Sequence, residues 1–235
     1  MTDALDILAF GAHPDDVEIG MAGTIAKYVK TGAKIGICDL TLAELSSNGN
    51  VELRKQEAKK AGEVLGLSAR ANLELPDRGL YMKEEYIAAI VRIIRTYQPK
   101  VVFAPYYEDR HPDHANCANL VREALFSAGV RKFLPEYKAH RVQAFHYYMI
   151  NGFHHTSFII DITNEVEVKK DALRAYASQF SAGESGVETP LTTGYVDSVI
   201  ARDKVFGKEV NVTYGEGFIT DKPLLVQHDL VGVIT

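Results

Sequence analysis

Apolar residues along the chain fall into short continuous runs, and each run is followed by a stretch in which they recur every three or four positions. The run "DILAFGA" (6–12) predicts a buried strand. In "VEIGMAGTIAKYVKTG" (17–32), Ile19, Ala22, Ile25, Ala26 and Val29 share a helical face, and Gly32 ends it. The same alternation predicts a strand at 33–41, a helix at 50–66 closed by Gly66, and a strand at 71–76 cut off by Pro76. A helix at 83–99, a strand at 100–106 and a helix at 111–129 follow. The pattern then loosens. Strands are predicted at 140–150 and 157–163, a helix at 164–180, a Gly/Ser/Thr-rich segment at 181–194, a helix at 195–207 and a last strand at 215–219. That Gly/Ser/Thr-rich segment is long enough to move or to cover a site.

Short apolar strands alternating with helices predict an α/β fold with a Rossmann-like, mostly parallel sheet and helices on both faces. The expected organisation is one domain, 1–235, with a regular core over 1–130. A smaller, irregular α/β part over 131–235 would complete the site. Right-handed crossovers place the C-terminal ends of the parallel strands on one edge, where open α/β sheets bind ligands.

A length of 235 residues with 46% hydrophobic content suffices for a proper core. The net charge of −5 and the scattered basic residues speak against nucleic acid as a partner, whereas a small acidic substrate needs only one or two placed arginines. Cys38 and Cys117 are far apart and in apolar company, as expected of buried free thiols. The start "MTDALDILAF" lacks a secretion signal, and no apolar run approaches a membrane span of roughly 18 residues. A soluble cytoplasmic protein is the expectation.

Two tetrads carry the candidate chemistry: "HPDD" at 13–16 and "HPDH" at 111–114. Each follows a predicted strand and opens a predicted helix, so both fall on the ligand-binding edge. His13 and Asp16 are three apart, as are His111 and His114, a spacing that turns two side chains toward one point. Zinc accepts imidazole nitrogen and carboxylate oxygen, and catalytic sites commonly use three protein ligands. His13, Asp15, Asp16, His111 and His114, with Asp113 as a sixth, exceed that need. The surplus suits an acid, a base or an orienting partner. The competing interpretation makes the acids helix-terminal groups favoured by the dipole. Finding two such tetrads at one sheet edge favours a metal hydrolase.

Other features are weaker. His154 and His155 are adjacent and would point to opposite faces of a strand, and His140, His146 and His228 lack a ligand-spaced neighbour. "FGAHPDDVEIG" does not spell the dinucleotide fingerprint, and no G-x-S-x-G elbow is present. "FHYY" (145–148) suits sheet packing better than a sugar platform.

"AHPDDVEIGMAGTIA" and the later "HPDH" resemble the LmbE/PIG-L family of metal-dependent N-acetylglucosamine deacetylases. "DLTLAELSSNG", "LPDRGLYMKEEY", "FAPYYEDRHPDHANC", "YASQF" and "TPLTTGYVDSVIARDKVFGK" extend the likeness to its Bacillus-type subgroup, the N-acetylglucosaminyl-malate deacetylases of bacillithiol biosynthesis. The resemblance implies that His13, Asp16 and His114 bind Zn2+, with Fe2+ or another divalent metal as the alternative. It implies Asp15 as general base, and His111 as the cation that polarises the amide carbonyl, held by Asp113. Spacing alone leaves His111 and His114 equivalent. A malate conjugate carries two carboxylates, for which Arg54 and Arg110 are the candidates, and Tyr195 is placed to bring a hydroxyl to the oxyanion. A homo-oligomer, with a hexamer as its form in the subgroup, is also implied. Deacetylation of diacetylchitobiose or another N-acetylglucosamine conjugate is the near alternative. A metal-dependent phosphoesterase and a non-catalytic binding module represent other classes.

Overall fold

The computed structural model describes residues 4–181 and 186–224. In chain order the elements are β1 (Ile7–Gly11), α1 (Asp16–Lys30), β2 (Ile35–Thr41), α2 (Val51–Leu65), β3 (Ala69–Leu75), α3 (Glu84–Tyr97), β4 (Val101–Pro105), α4 (Pro112–Ala128), β5 (Ala144–Tyr148), β6 (Phe158–Asp161), α5 (Val166–Arg174), α6 (Ala177–Phe180), α7 (Tyr195–Glu209) and β7 (Gly215–Ile219). They form a seven-stranded sheet in the order β3-β2-β1-β4-β5-β7-β6. The first five strands are parallel, with Ile7 opposite both Ile35 and Val101, and β7 runs antiparallel between β5 and β6. The expected mostly parallel α/β sheet is present, and the chain after residue 130 adds its last three strands.

The central strands β1 and β4 are apolar because both faces of the sheet are covered there, as in other parallel sheets. Leu8, Phe10, Val102 and Ala104 pack under α3 and α4 with Ile90, Ile94, Leu120 and Val121. Their neighbours Ile7, Ala9, Ile35, Ile37 and Phe103 face α1, α5 and α7 through Val17, Ile25, Leu173 and Val199. Cys38 and Cys117 are buried free thiols, and no helix is long and apolar enough to cross a membrane among the described residues.

Three departures from expectation have a tertiary reason. The helix predicted at 164–180 breaks between Arg174 and Ala177, where fully buried Tyr176 sends its hydroxyl to Glu18 Oε1 at 2.8 Å. The strand predicted from 140 starts at Ala144, because His140 is tied to Ala128 O and Pro99 O instead. Helix α1 is kinked at Met21 (φ −152°, ψ 21°). There Glu216 of β7 accepts the freed backbone N–H groups of Gly23 and Thr24 at 3.0 and 2.7 Å. A buried carboxylate thus caps the restarted helix, satisfying donors that would otherwise lack partners. Glu216 and Asp203 also flank the buried Lys169 ammonium at 2.8 and 2.6 Å.

Strand order reverses between β1 and β4, which makes their C-terminal ends the topological switch point of the sheet. The two tetrads follow those two strands.

Candidate active site

Helix geometry sets the first tetrad. Gly11 leaves little room for a side chain: an added Cβ would stand 3.1 Å from His13 O and 3.3 Å from Asp16 Cβ. Asp15, at the N-cap of α1, has φ 114°, a conformation that costs a non-glycine residue about 1–3 kcal/mol. It is held there by Ile19 N–H donating to its carbonyl and by Arg54 Nη2 donating to Oδ2 at 2.7 Å. In the second tetrad Pro112 opens α4 and His111 caps it, with Nδ1 accepting from Asp113 N–H at 3.3 Å.

The tetrads meet. The ring centroids of His13, His111 and His114 are 4.7–5.6 Å apart, and each offers a nitrogen within 4.8 Å of the others. Asp16 lies between two of them, with Oδ1 3.2 Å from His114 Nε2 and Oδ2 3.4 Å from His13 Nδ1. Two further carboxylates close the cluster: Asp77 Oδ1 is 3.2 Å from His13 Nε2, and Asp109 Oδ1 is 3.0 Å from His114 Nδ1. Asp77 and Asp109 escaped the sequence reading because a single loop acid has no periodic signal. The one available clue was the tendency of ligating imidazoles to hold a carboxylate at the other ring nitrogen.

Burial opposes charge on every one of these groups, and the outcome depends on partners. Asp15 is pushed up to about 7 by burial, against the pull of Arg54. Burial would also raise Asp16, but His114 and His13 outweigh it and hold Asp16 well below the carboxylate range. Burial lowers the imidazoles, yet contacts to Asp113, Asp16 and Asp77 keep His13 well above its ordinary value. Asp16 and Asp109 bring His114 to about 9. The carboxylates thus favour a proton on each of two buried imidazoles. A divalent cation in place of those protons would satisfy the same nitrogen and oxygen donors, so the residue set fits a metal.

Asp113 and His111 depart from expectation. The Asp113 carboxylate turns away from the His111 ring, accepting from Arg78 N–H at 2.6 Å and lying 3.7 Å from His13 Nε2. His111 is lowered by burial and by the neighbouring His114 and His13, which outweigh the pull of Asp16 and Asp113. Asp113 still favours the charged form of His111, as expected, but burial and the two neighbouring imidazoles outweigh it. With Nδ1 accepting a backbone N–H, the ring proton belongs on Nε2.

A cavity of about 260 Å³ opens on the cluster, lined by Arg54, Arg78, Arg110 and Tyr195 among others. Arg54 is only 5% exposed, donates to Asp15 Oδ2 and Pro14 O, and leaves Nη1 without a partner. Its ion pair is internal, so it is not a solvated helix-surface residue. Arg110 is exposed on the cavity. Arg78, which the sequence did not single out, joins it there. Burial pushes the Tyr195 hydroxyl up, keeping it a donor toward Ile150 O and Asn151 Oδ1, both at 3.2 Å. His154 and His155 lie outside the metal cluster, and His146 is packed between Phe103 and Phe158. Residues 182–185 of the Gly/Ser/Thr-rich segment and His228 lie outside the described residues.

Known proteins resemble this chain in sequence and fold. The diacetylchitobiose deacetylase of Thermococcus kodakarensis is 31% identical over 194 residues, covering 76% of this chain and 71% of its own. The probable N-acetyl-α-D-glucosaminyl L-malate deacetylase 2 of Bacillus subtilis is 29% identical, covering 74% of this chain and 82% of its own. The crystal structure of the conserved protein TT1542 from Thermus thermophilus superposes with a TM-score of 0.88 at 36% identity, covering 94% of this chain and 97% of its own. The family described as PIG-L, GlcNAc-PI de-N-acetylase, matches residues 8–125, a span that holds both tetrads. With that match over half its length, this chain belongs to the PIG-L family.

Proposed function

We propose that the protein hydrolyses the N-acetyl group of an N-acetylglucosaminyl conjugate, with N-acetylglucosaminyl-malate as the preferred substrate. The observation that carries this reading is the convergence at the β1/β4 switch point of a histidine–carboxylate cluster, the adjacent Asp15 and an arginine-lined cavity. Membership of a de-N-acetylase family supports the same reaction class.

His13, Asp16 and His114 would hold the metal, proposed as Zn2+. A divalent ion at this position supplies Lewis acidity toward a carbonyl and lowers the pKa of water from about 15.7 to about 7. The remaining steps belong to the chain. Asp15, titrating at about 7, is suited to take a proton from the attacking water and return it to the leaving amine. Arg54 fixes the orientation of Asp15 through Oδ2 and the Pro14 carbonyl. His111 donates from Nε2 as a neutral imidazole to the oxygen on which negative charge develops. The Tyr195 O–H, turned from Ile150 O and Asn151 Oδ1, offers a second donor; one such donor is typically worth 10²–10³ in rate. Asp113 sets the His111 tautomer through its backbone N–H and steadies His13 with its carboxylate.

Arg110 and Arg78 give the cavity mouth the positive charge that a malate conjugate requires. Diacetylchitobiose is the second reading, favoured by the 31% identical relative. A cytoplasmic homo-oligomer completes the proposal on the strength of the sequence resemblance. The test is kcat/KM on N-acetylglucosaminyl-malate, diacetylchitobiose and free N-acetylglucosamine. Highest efficiency on the malate conjugate supports the first reading, highest efficiency on the disaccharide supports the second, and no acetate from any of them refutes both.

A further inference from the structure

Two segments remote in sequence build one side of the cavity. The loop between β2 and α2 supplies Leu45, Ser47 and Asn48, while the stretch before α7 supplies Thr189, Pro190 and Leu191. Residues 186–194 belong to no strand and are largely exposed; Val187 is 60% exposed. Their internal bonds are local, with Thr189 N–H donating to Thr192 Oγ1 at 2.9 Å and Thr192 N–H to Thr189 O at 3.1 Å. Two hydrogen bonds fasten the stretch elsewhere, both to one side chain. Asn48 Nδ2 donates to Val187 O at 2.8 Å, and Val187 N–H donates to Asn48 Oδ1 at 2.7 Å. Among the described residues no other hydrogen bond or ion pair joins 186–193 to a distant part of the chain.

The Asn48 end of this clasp is rigid. Its carbonyl accepts from buried Gln179 Nε2 at 3.0 Å, and Ser178 beside Gln179 is bonded twice to Glu57. Gly49 has φ +75°, and an added Cβ would meet Ser178 Oγ at 2.9 Å, so this loop closes tightly on α6. A carboxamide offers a donor and an acceptor side by side on separate atoms, which one backbone N–H and C=O pair can match; a carboxylate cannot donate, and a hydroxyl has only one atom for both roles. The arrangement is a fixed post holding a loosely packed strap by a two-point amide pair.

We propose that Asn48 is a positioning residue for substrate capture. Its amide pair with Val187 holds Thr189–Leu191 in place as a wall of the cavity, and losing it lets the wall swing away. The inference rests on the reading of this cavity as the site for the N-acetylglucosaminyl conjugate. An unfastened strap lowers the fraction of binding-competent protein, which weakens apparent affinity by that fraction and leaves the chemical step intact.

The test uses Asn48→Ala, Val187→Pro, which removes the paired N–H from an exposed position, and the double variant. Hydrogen exchange of the Val187 amide should accelerate in Asn48→Ala without any ligand. For N-acetylglucosaminyl-malate, KM should rise about tenfold while kcat falls less than about threefold. Calorimetric Kd for the same compound on the zinc-free protein should weaken in parallel, and zinc content should stay unchanged. The double variant should be no worse than the more impaired single, since both remove one clasp. Unchanged Val187 exchange, or faster exchange with unchanged KM and Kd, overturns the proposal. Loss of zinc or a fall in kcat at constant KM overturns it too, assigning Asn48 to the scaffold. Binding weakened by Asn48→Ala in a protein that releases no acetate would sink the proposed reaction and keep the clasp. Acetate release with unchanged KM and Kd would do the reverse.

Discussion

Asp109 gives a sharp test of the metal site because it has no other chemistry to perform. Its side chain is 3% exposed and each oxygen meets donors: Oδ1 faces His114 Nδ1 at 3.0 Å, His111 N–H at 2.8 Å and Asn151 Nδ2 at 3.0 Å, and Oδ2 accepts Asn151 N–H at 3.0 Å. These partners hold its carboxyl down at about 2, against burial, with His114 the largest favourable influence. Asp109→Asn preserves shape, but its NH2 group must replace one oxygen, so at least one contact becomes donor against donor. Whichever way the amide turns, the charge that orients His114 is lost. Removing such an outer carboxylate typically costs 10–100-fold in metal affinity, about 1.4–2.8 kcal/mol. Zinc competition against a chromophoric chelator reads the affinity, and circular dichroism checks the fold. Zinc binding within about twofold of wild type in a folded variant would refute the assignment of His114 as an Asp109-oriented ligand.

Replacing Arg110 with Ala should raise KM for the malate conjugate about five- to tenfold and leave KM for free N-acetylglucosamine unchanged; equal effects on both would remove Arg110 from aglycone recognition. Asp15→Asn should keep one equivalent of zinc and lower kcat by about 10²–10⁴, the usual worth of a general base. The Lys169–Asp203–Glu216 cluster should make stability depend on pH. Burial raises Asp203 to about 6, above the 3.8 of an unperturbed aspartate, with Lys169 opposing the rise and Glu216 adding to it. The folded state therefore holds an extra proton between those values. This group's contribution is fully present below pH 3.8 and is lost as pH rises through about 6. Urea unfolding at about pH 5 and about pH 8 should show wild type losing stability relative to Asp203→Asn as pH rises; a constant difference would contradict the linkage.

Much of this was legible in the linear chain, for physical reasons. Both-face burial writes β1 and β4 as unbroken apolar runs, and the tetrads stand directly behind them. A shared ligand-binding edge could therefore be anticipated from the chain, whereas the strand order that makes it a switch point could not. What stayed hidden depends on partners far away in sequence. The kink at Met21 is stabilised by Glu216, nearly two hundred residues later, and the break at Tyr176 by Glu18. Arg54 lies on a helix that reads as surface, yet packing against α1 and Tyr176 buries it beside Asp15. The orientation of Asp113 could not be had from spacing either. Its backbone, not its carboxylate, reaches His111, and that decides the tautomer.

The central claim is that Asp15 performs proton transfer beside a metal held by His13, Asp16 and His114. The most direct measurement is acetate release from N-acetylglucosaminyl-malate by wild type and Asp15→Asn, each stripped of metal and resupplied with one equivalent of zinc. The expected result is zinc binding by both proteins, with turnover restored in wild type alone. Equal turnover in the two zinc-loaded proteins, or undiminished turnover in stripped wild type, would contradict the account.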